Sequence, residues 1–565
     1  MSSPSYKVSD QWIGKPRPAR IVVVGAGIGG IAAVKLYKDM FKGMPTELVV
    51  YEKNHDVGGT WLENRYPGCA CDIPAHGYTY SWEGNPRWSK PYVGAVELFE
   101  YYKDRAKAYG VFDYLHLRHK VMSATWDSRA GKWHLSIENT EKNLLVKDEC
   151  DVLINAGGFL NNWKWPVIDG LNTFKGHLVH SARWDNSYDF KDKTVGVIGS
   201  GSSAIQIPPS VSNHHQNGAD FSLFEKVAKS LVSFNRSPTW ITPEFAAEFA
   251  PGGRDAVFSE EQKERWANDP TEFLKYRKAV EASGNNFYSM QFKDSDLQKE
   301  LFDKFKDLMT QRLGREDLAS ILVPTFAVGC RRMTPGHGYL EALAAPNATV
   351  RGDPISHVTP GGIQMKDGTH FEFDAIICAS GFDTSYRPSF PVIGESGVDL
   401  RDQWKDEPRS YLSVAVDGYP NYFMATGPNF PLANGSLLAC LEQTLRYAFM
   451  AVQKLQTQKV KSVSPKPEAV AEFQEHKDTL MKELVWTSHC RSWYKNGKAE
   501  GKVWGPWCGS VLQFIELLSQ PRWEDYVIEY ETSNRFQYLG KGKTGIEEAG
   551  GDMAWYVKEP GARVD

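Results

Sequence analysis

The stretch Ile21-Val22-Val23-Val24-Gly25-Ala26-Gly27-Ile28-Gly29-Gly30 decides the fold. Four β-branched residues in a row read as a strand buried on both faces of a parallel sheet. The glycines that follow stand at G-x-G-x-x-G spacing. Gly25 makes the tight turn, Gly27 lets a pyrophosphate reach the backbone, and Gly30 lets helix and strand pack closely. The apolar pattern from Ile31 to about Met40 predicts a helix. Its free N–H groups and positive dipole end would face the phosphates. A second strand, Leu48-Val49-Val50-Tyr51, ends at Glu52. A carboxylate at that place binds the ribose of an adenosine lacking a 2′-phosphate, so NAD or FAD.

The same grammar returns about 175 residues later. Thr194–Ile198 is the strand, and Gly199-Ser200-Gly201-Ser202-Ser203-Ala204 is the turn. Pro208-Pro209 makes the following helix short or kinked. Ala in the third place is a variant seen with NADP. Two segments compete for the next strand. Phe221–Lys226 would put Glu225 or Lys226 at the adenosine ribose, and Ser230–Asn235 would put Arg236 there. Arg236 is preferred, as a guanidinium holds a 2′-phosphate by charge-assisted hydrogen bonds.

Two such units mean two dinucleotides exchanging electrons. The fold class expected is α/β, with two doubly wound, Rossmann-like dinucleotide-binding domains. The runs Asp151–Gly158 and Asp374–Gly381 read as crossings between them, so the NADP domain (156–240 and 321–382) is inserted into the FAD domain (1–155 and 383–565). The last of these pieces includes a C-terminal segment covering substrate and cofactor. Residues 241–320 read as a helical insertion. Leu297, Leu301, Phe305, Leu308 and Met309 share one face there, Ser295 and Gln298 have capping-box spacing, and Gly314 ends the helix.

Composition narrows the classes. The chain has 565 residues, 41% hydrophobic and 24% charged, which disfavours disordered, collagenous and membrane-spanning classes. Lys+Arg is 65 against Asp+Glu 69, so no nucleic-acid partner is expected. No uncharged apolar run is long enough to cross a membrane, and the N-terminus lacks a secretory h-region. The eight cysteines are too sparse for a disulfide scaffold and suggest no metal site. All are expected as reduced, buried thiols in a cytoplasmic protein. None has the spacing of a redox pair next to a flavin.

A segment between the two turns points further. Phe174-Lys175-Gly176-His177-Leu178-Val179-His180-Ser181-Ala182-Arg183-Trp184-Asp185 fits FxGxxxHxxxW followed by Pro or Asp. With it the chain resembles class B flavoprotein monooxygenases, specifically Baeyer–Villiger monooxygenases of the fungal type, over roughly 15–530. Gly58-Gly59-Thr60-Trp61 resembles that family's flavin-approaching loop, and Asn64–Asp72 its NRYPGxxCD stretch. Gly329-Cys330-Arg331-Arg332 resembles its GCKR segment, with Arg331 in place of Lys. Arg491-Ser492-Trp493-Tyr494 resembles a late segment that closes over the nicotinamide.

The resemblance implies that NADPH reduces FAD and that reduced flavin with O2 gives a C4a-peroxide. This peroxide inserts one oxygen beside a ketone carbonyl to give an ester or lactone, and it also oxidises sulfides. Arg332 would stabilise the developing negative charge, and Asp72 would orient Arg332. Arg331 would join Arg236 on the 2′-phosphate. Trp493 would contact cofactor. His180 would act in domain movement, and Trp184 is either part of the fingerprint's work or core packing. The helix after Asn434-Gly435-Ser436, running to about Leu455, would point its N-terminus at the flavin. The alternatives are a flavin N- or S-monooxygenase and an NAD(P)H oxidase or reductase. The ketone is left open, as is the oligomeric state, with which a monomer is compatible.

Overall fold

The structure is a computed structural model that describes residues 6–211, 228–433 and 435–558. Glu225, Lys226 and Asn434 therefore lie outside the described residues. Two five-stranded parallel sheets carry the frame among the described residues. In chain order their strands are β1 (Ala19–Val24), β2 (Thr46–Tyr51), β3 (Leu115–His116), β4 (Val152–Asn155), β5 (His177–His180), β6 (Thr194–Ile198), β7 (Ser230–Phe234), β8 (Ala348–Arg351), β9 (Ala375–Cys378) and β10 (Tyr422–Met424). The first sheet runs β10-β4-β1-β2-β3 and the second β8-β7-β6-β9-β5.

Ile21, Val22 and Val23 are fully buried, as a two-sided parallel strand requires. The chain leaves the first sheet after β4, builds the second, and returns from β9 to β10. Both expected crossings, Asp151–Gly158 and Asp374–Gly381, are where the chain changes sheets.

The helices that matter here are α1 (Ile28–Met40), α2 (Ser202–Val211), α3 (Glu260–Asn268), α4 (Pro270–Asn285), α5 (Asp296–Leu313), α6 (Glu316–Leu322) and α7 (Leu437–Thr457). α1 follows β1 directly and packs against α7. α3 to α6 form the expected helical insertion between β7 and β8. α5 starts at Ser295, whose hydroxyl accepts from the Gln298 N–H, and ends at Gly314 in the left-handed region. Its capping box is only half made. The Gln298 side chain turns inward and donates to the Met290 and Val328 carbonyls. The buried stripe of α5 is Gln298, Phe305, Met309 and Leu313, whereas Leu297 is exposed. The periodicity located the helix correctly and set its buried face slightly off. The cause is a buried amide that satisfies two loop carbonyls, which hydrophobic patterning cannot register.

One sequence expectation is overturned outright. Cys330 and Cys490 are bonded to each other, with Cα atoms 6.4 Å apart and 160 residues between them in sequence. The other six cysteines are free. Sequence spacing favours near neighbours, and this pair meets only because the fold brings two distant loops together.

Candidate active site

The first turn is built by close backbone approach. Gly25 has φ +102°, and a Cβ on it would lie 2.8 Å from the Ala156 carbonyl oxygen. A Cβ on Gly30 would lie 2.0 Å from the Gly25 carbonyl oxygen, so only glycine lets α1 sit this close to β1. Gly27 meets Gly59 backbone to backbone, a Cβ on Gly59 falling 2.9 Å from the Gly27 Cα. Thr60 is exposed and Trp61 is buried edge-on against Tyr78, in the one-turn helix Thr60–Glu63. Glu52 is buried at the end of β2. Its carboxylate accepts from the Ala26 N–H at 2.7 Å and from the Asn54 N–H at 2.8 Å. Burial raises its pKa, and the two N–H groups oppose that rise. Two small-residue loops and a buried acid at the carboxyl end of the sheet fit the adenosine diphosphate half of a dinucleotide.

The second turn follows the same plan. Gly199 has φ +137°, and a Cβ on it would lie 2.3 Å from the Ala379 carbonyl oxygen. A Cβ on Gly201 would meet nothing within 4 Å, so the mouth of this turn is open. Ser202 opens α2, its hydroxyl 3.0 Å from that of Thr334, and Ser203 follows it in the first turn. α2 carries Pro208 and Pro209 and is described as far as Val211. The strand beside β6 is β7, in parallel register from Ser230 on Thr194 to Phe234 on Ile198. Arg236 leaves two residues past its end. Arg331, far away in sequence, joins it there. Its guanidinium donates to the Ser237 and Pro238 carbonyls at 3.3 and 2.9 Å. Burial, with the nearby Arg236 acting the same way, lowers the Arg331 pKa to about 10. Neither arginine has a carboxylate within ion-pair distance among the described residues. Two adjacent cations without an anion fit a dianionic phosphate.

Arg332 turns the other way. Its Nη2 donates to both oxygens of Asp72, at 2.9 and 2.7 Å. The pair is not a two-nitrogen fork, so Nε and Nη1 keep their donors for another group. Asp72 raises the Arg332 pKa against the opposing effect of burial, which keeps the cation fixed. Arg332 lines a cleft of about 830 Å³ whose walls include Ile73, Phe245, Phe287, Met333, Leu432 and Trp486. These residues come from both sheets' loops, from the insertion and from the C-terminal part.

Tyr494 is the residue that sequence reasoning missed. It is buried, lines the cleft beside Arg332, and is pushed up to about 12 by burial while Arg332 and Arg331 pull it down. Trp493, the expected cofactor contact, stacks on Phe159 at 6.0 Å. The signal was one position away in the same Arg491–Tyr494 segment. The Cys330–Cys490 bond ties that segment to the loop bearing Arg331 and Arg332.

The fingerprint residues form a packed joint. Phe174 is buried, and a Cβ on Gly176 would lie 2.5 Å from the Asp374 carbonyl oxygen. His180 ends β5. Its Nδ1 accepts from the Ala182 N–H, its Nε2 lies 3.2 Å from the Ser380 hydroxyl, and its ring stacks on Trp163. It thus touches the second crossing, at Ser380, and the segment that follows the first, at Trp163. Trp184 stacks on Phe190 at 5.3 Å, which is packing, and Asp185 caps a turn at Ser187. Tyr66 and Gly68 seat the Asn64–Asp72 stretch on α2. The Tyr66 hydroxyl donates to Gln206, and Gly68 abuts the Gln206 carbonyl.

Comparison with known proteins agrees with this geometry. Residues 18–219 match the family described as flavin-binding monooxygenase-like. The chain is 40% identical over 549 residues to the FAD-binding monooxygenase tazF of Aspergillus terreus, covering 96% of this chain and 95% of that protein. It is 30% identical over 510 residues to a Baeyer–Villiger monooxygenase of Streptomyces coelicolor, covering 88% and 90%. The fold matches cyclohexanone monooxygenase from Rhodococcus bound to NADP+, with a TM-score of 0.75, 24% identity, and coverage of 91% of this chain and all of that one. By these likenesses and by its paired turns, the chain belongs to the flavin-binding monooxygenase family, among the class B enzymes of Baeyer–Villiger type.

Proposed function

We propose that this protein is an NADPH- and FAD-dependent Baeyer–Villiger monooxygenase that converts a ketone, O2, NADPH and a proton into an ester or lactone, NADP+ and water. The observation that carries this reading is Arg332, a buried-in-part cation fixed by Asp72 at an apolar cleft, with two of its nitrogens left to donate. Bound FAD, reduced by NADPH, supplies the electrons and the activated oxygen. The chain supplies everything that positions them.

The Gly25 turn and Glu52 hold the adenosine half of FAD, with Gly27, Gly30, Gly59, Thr60 and Trp61 shaping its approach. The Gly199 turn, with Gly201, Ser202 and Ser203, holds the NADPH pyrophosphate, and Arg236 with Arg331 holds its 2′-phosphate. Arg332 is the catalytic cation. Negative charge grows on the former carbonyl oxygen during oxygen insertion, and a preset cation in a poorly hydrated cleft stabilises that charge without reorganising. Asp72 is a positioning residue that keeps the guanidinium aimed. The same site accepts sulfides, which need no such cation.

The test is Arg332→Ala. The variant should purify yellow and be reduced by NADPH at an unchanged rate, while ester formation falls by about 100-fold or more. Full ester yield from Arg332→Ala would overturn the assignment. Oxidation of amines or thioethers with no ester from any ketone, in the unaltered protein, would place it with the N- or S-oxygenating enzymes.

A further inference from the structure

Deep in the cleft beside Arg332, the wall is not wholly apolar. α4 and the helical turn that continues it, Asn286–Gln291, present Glu281 and Gln291 to the same space. Each keeps acceptor capacity for a ligand: Glu281 is met by one hydroxyl, and Gln291 uses only its amide nitrogen. Glu281 has no cation within ion-pair distance among the described residues. Arg277, one turn before it, is turned instead to the Thr79 hydroxyl and the Tyr80 carbonyl, at 3.2 and 2.8 Å. The Ser436 hydroxyl, also on the cleft wall, is the group that most supports the Glu281 charge, and burial works against that charge. Gln291 is 1% exposed. Its Nε2 donates to the Phe287 carbonyl at 3.2 Å, and its Oε1 is buried with no partner.

An unpartnered buried acceptor is costly unless a donor arrives with the ligand. Here two acceptors stand ten residues apart on one helical wall. That spacing is roughly 15 Å along the axis, longer than a simple cyclic ketone. Phe245, Phe287 and Trp486 supply flat apolar faces between and around them. A cationic donor is disfavoured, because Arg332 already holds positive charge in this cleft.

We infer that the ketone used here is an elongated, ring-containing one that carries hydroxyl donors, read by Glu281 and Gln291 on the wall built by the helical insertion. This deepens the proposed monooxygenase reading and rests on it. It also gives the insertion a task, which is to choose the substrate.

The experiment uses the FAD-loaded protein with NADP+ and two probes, benzylacetone and its para-hydroxyphenyl counterpart. Binding is followed by the change in flavin absorbance, and ester formation is followed separately by mass spectrometry. The hydroxylated ketone should bind about tenfold more tightly than benzylacetone. In Glu281→Leu/Gln291→Leu the ratio should fall towards one, with flavin content and NADPH reduction unchanged. Glu281→Gln/Gln291→Met serves the same end if the first variant folds poorly. Equal affinities in the unaltered protein, or a tenfold ratio that survives in a folded double variant, would overturn the inference. Hydroxyl-dependent binding with no ester from either ketone would strike the monooxygenase reading and not the assignment of the two acceptors.

Discussion

The two glycine turns share a plan and differ in how far they depend on the rest of the chain. In each, a crossing strand presses an alanine carbonyl onto the first glycine, Ala156 on Gly25 and Ala379 on Gly199. The third position separates them. A methyl at Gly30 would overlap the Gly25 carbonyl, whereas the second turn already holds Ala204, whose Cβ lies 3.4 Å from a Cβ placed on Gly199. The end of the neighbouring strand separates them again. Glu52 is held by two N–H groups within its own unit. Arg236 is completed by Arg331, which arrives from beyond the helical insertion. The acid of the first site is held within its own unit. The second is assembled from remote parts, which suits a cofactor that must come and go.

The largest effect expected from this contrast is at the tight turn. Gly30→Ala should destabilise the protein by about 3 kcal/mol or more through overpacking, and it should purify largely without flavin. Ala204→Gly, the reverse change in the second turn, should shift the melting temperature little and leave NADPH use intact. A stable, yellow Gly30→Ala protein would remove the distinction.

The next effect sharpens the remote half of the second site. Arg331→Ala should raise KM for NADPH about 10- to 100-fold, the cost of one charge-assisted contact, and leave KM for NADH nearly unchanged. Steady-state kinetics with both cofactors will check it. Equal losses for the two would mean that Arg331 does not face the 2′-phosphate.

The smallest effect concerns the joint between the sheets. Burial lowers the His180 pKa to about 4 from its ordinary 6.5. The unfolded chain therefore takes up this proton near pH 6.5 and the folded chain only near pH 4. The stability involved is fully present above pH 6.5 and is lost as pH falls through that window. Urea unfolding should show a contribution of about 1 kcal/mol lost between pH 8 and pH 5, a value discounted for solvent screening. His180→Gln should remove that part of the pH dependence, and an unchanged profile would count against a neutral His180 at the joint.

Much of the frame was readable because its causes are local. A β-branched run fixes a two-sided strand, and a glycine triplet fixes the turn after it. The runs at Asp151 and Asp374 marked the crossings because they end in residues small enough for another backbone to touch. Arg332 and Asp72 were found through a resemblance, and the fold supplied the 2.7 Å contact between them. Tyr494 was missed because adjacent residues of one segment point to different neighbours, Trp493 to Phe159 and Tyr494 to the cleft. The Cys330–Cys490 bond was missed because spacing along the chain says little about pairs 160 residues apart.

The sequence by itself determined two nucleotide turns, their order, the helical insertion that follows the second and the acidic end of the strand after the first. Those follow from steric and periodic rules that act within about thirty residues. Only the tertiary structure decided which group each arginine faces, that a disulfide joins the two loops around the cleft, and that Glu281 lines it beside Gln291, whose Oε1 has no partner. Each of these depends on burial and on the meeting of distant segments, and the energy of a charge or a hydrogen bond is set by those surroundings and not by its position in the chain.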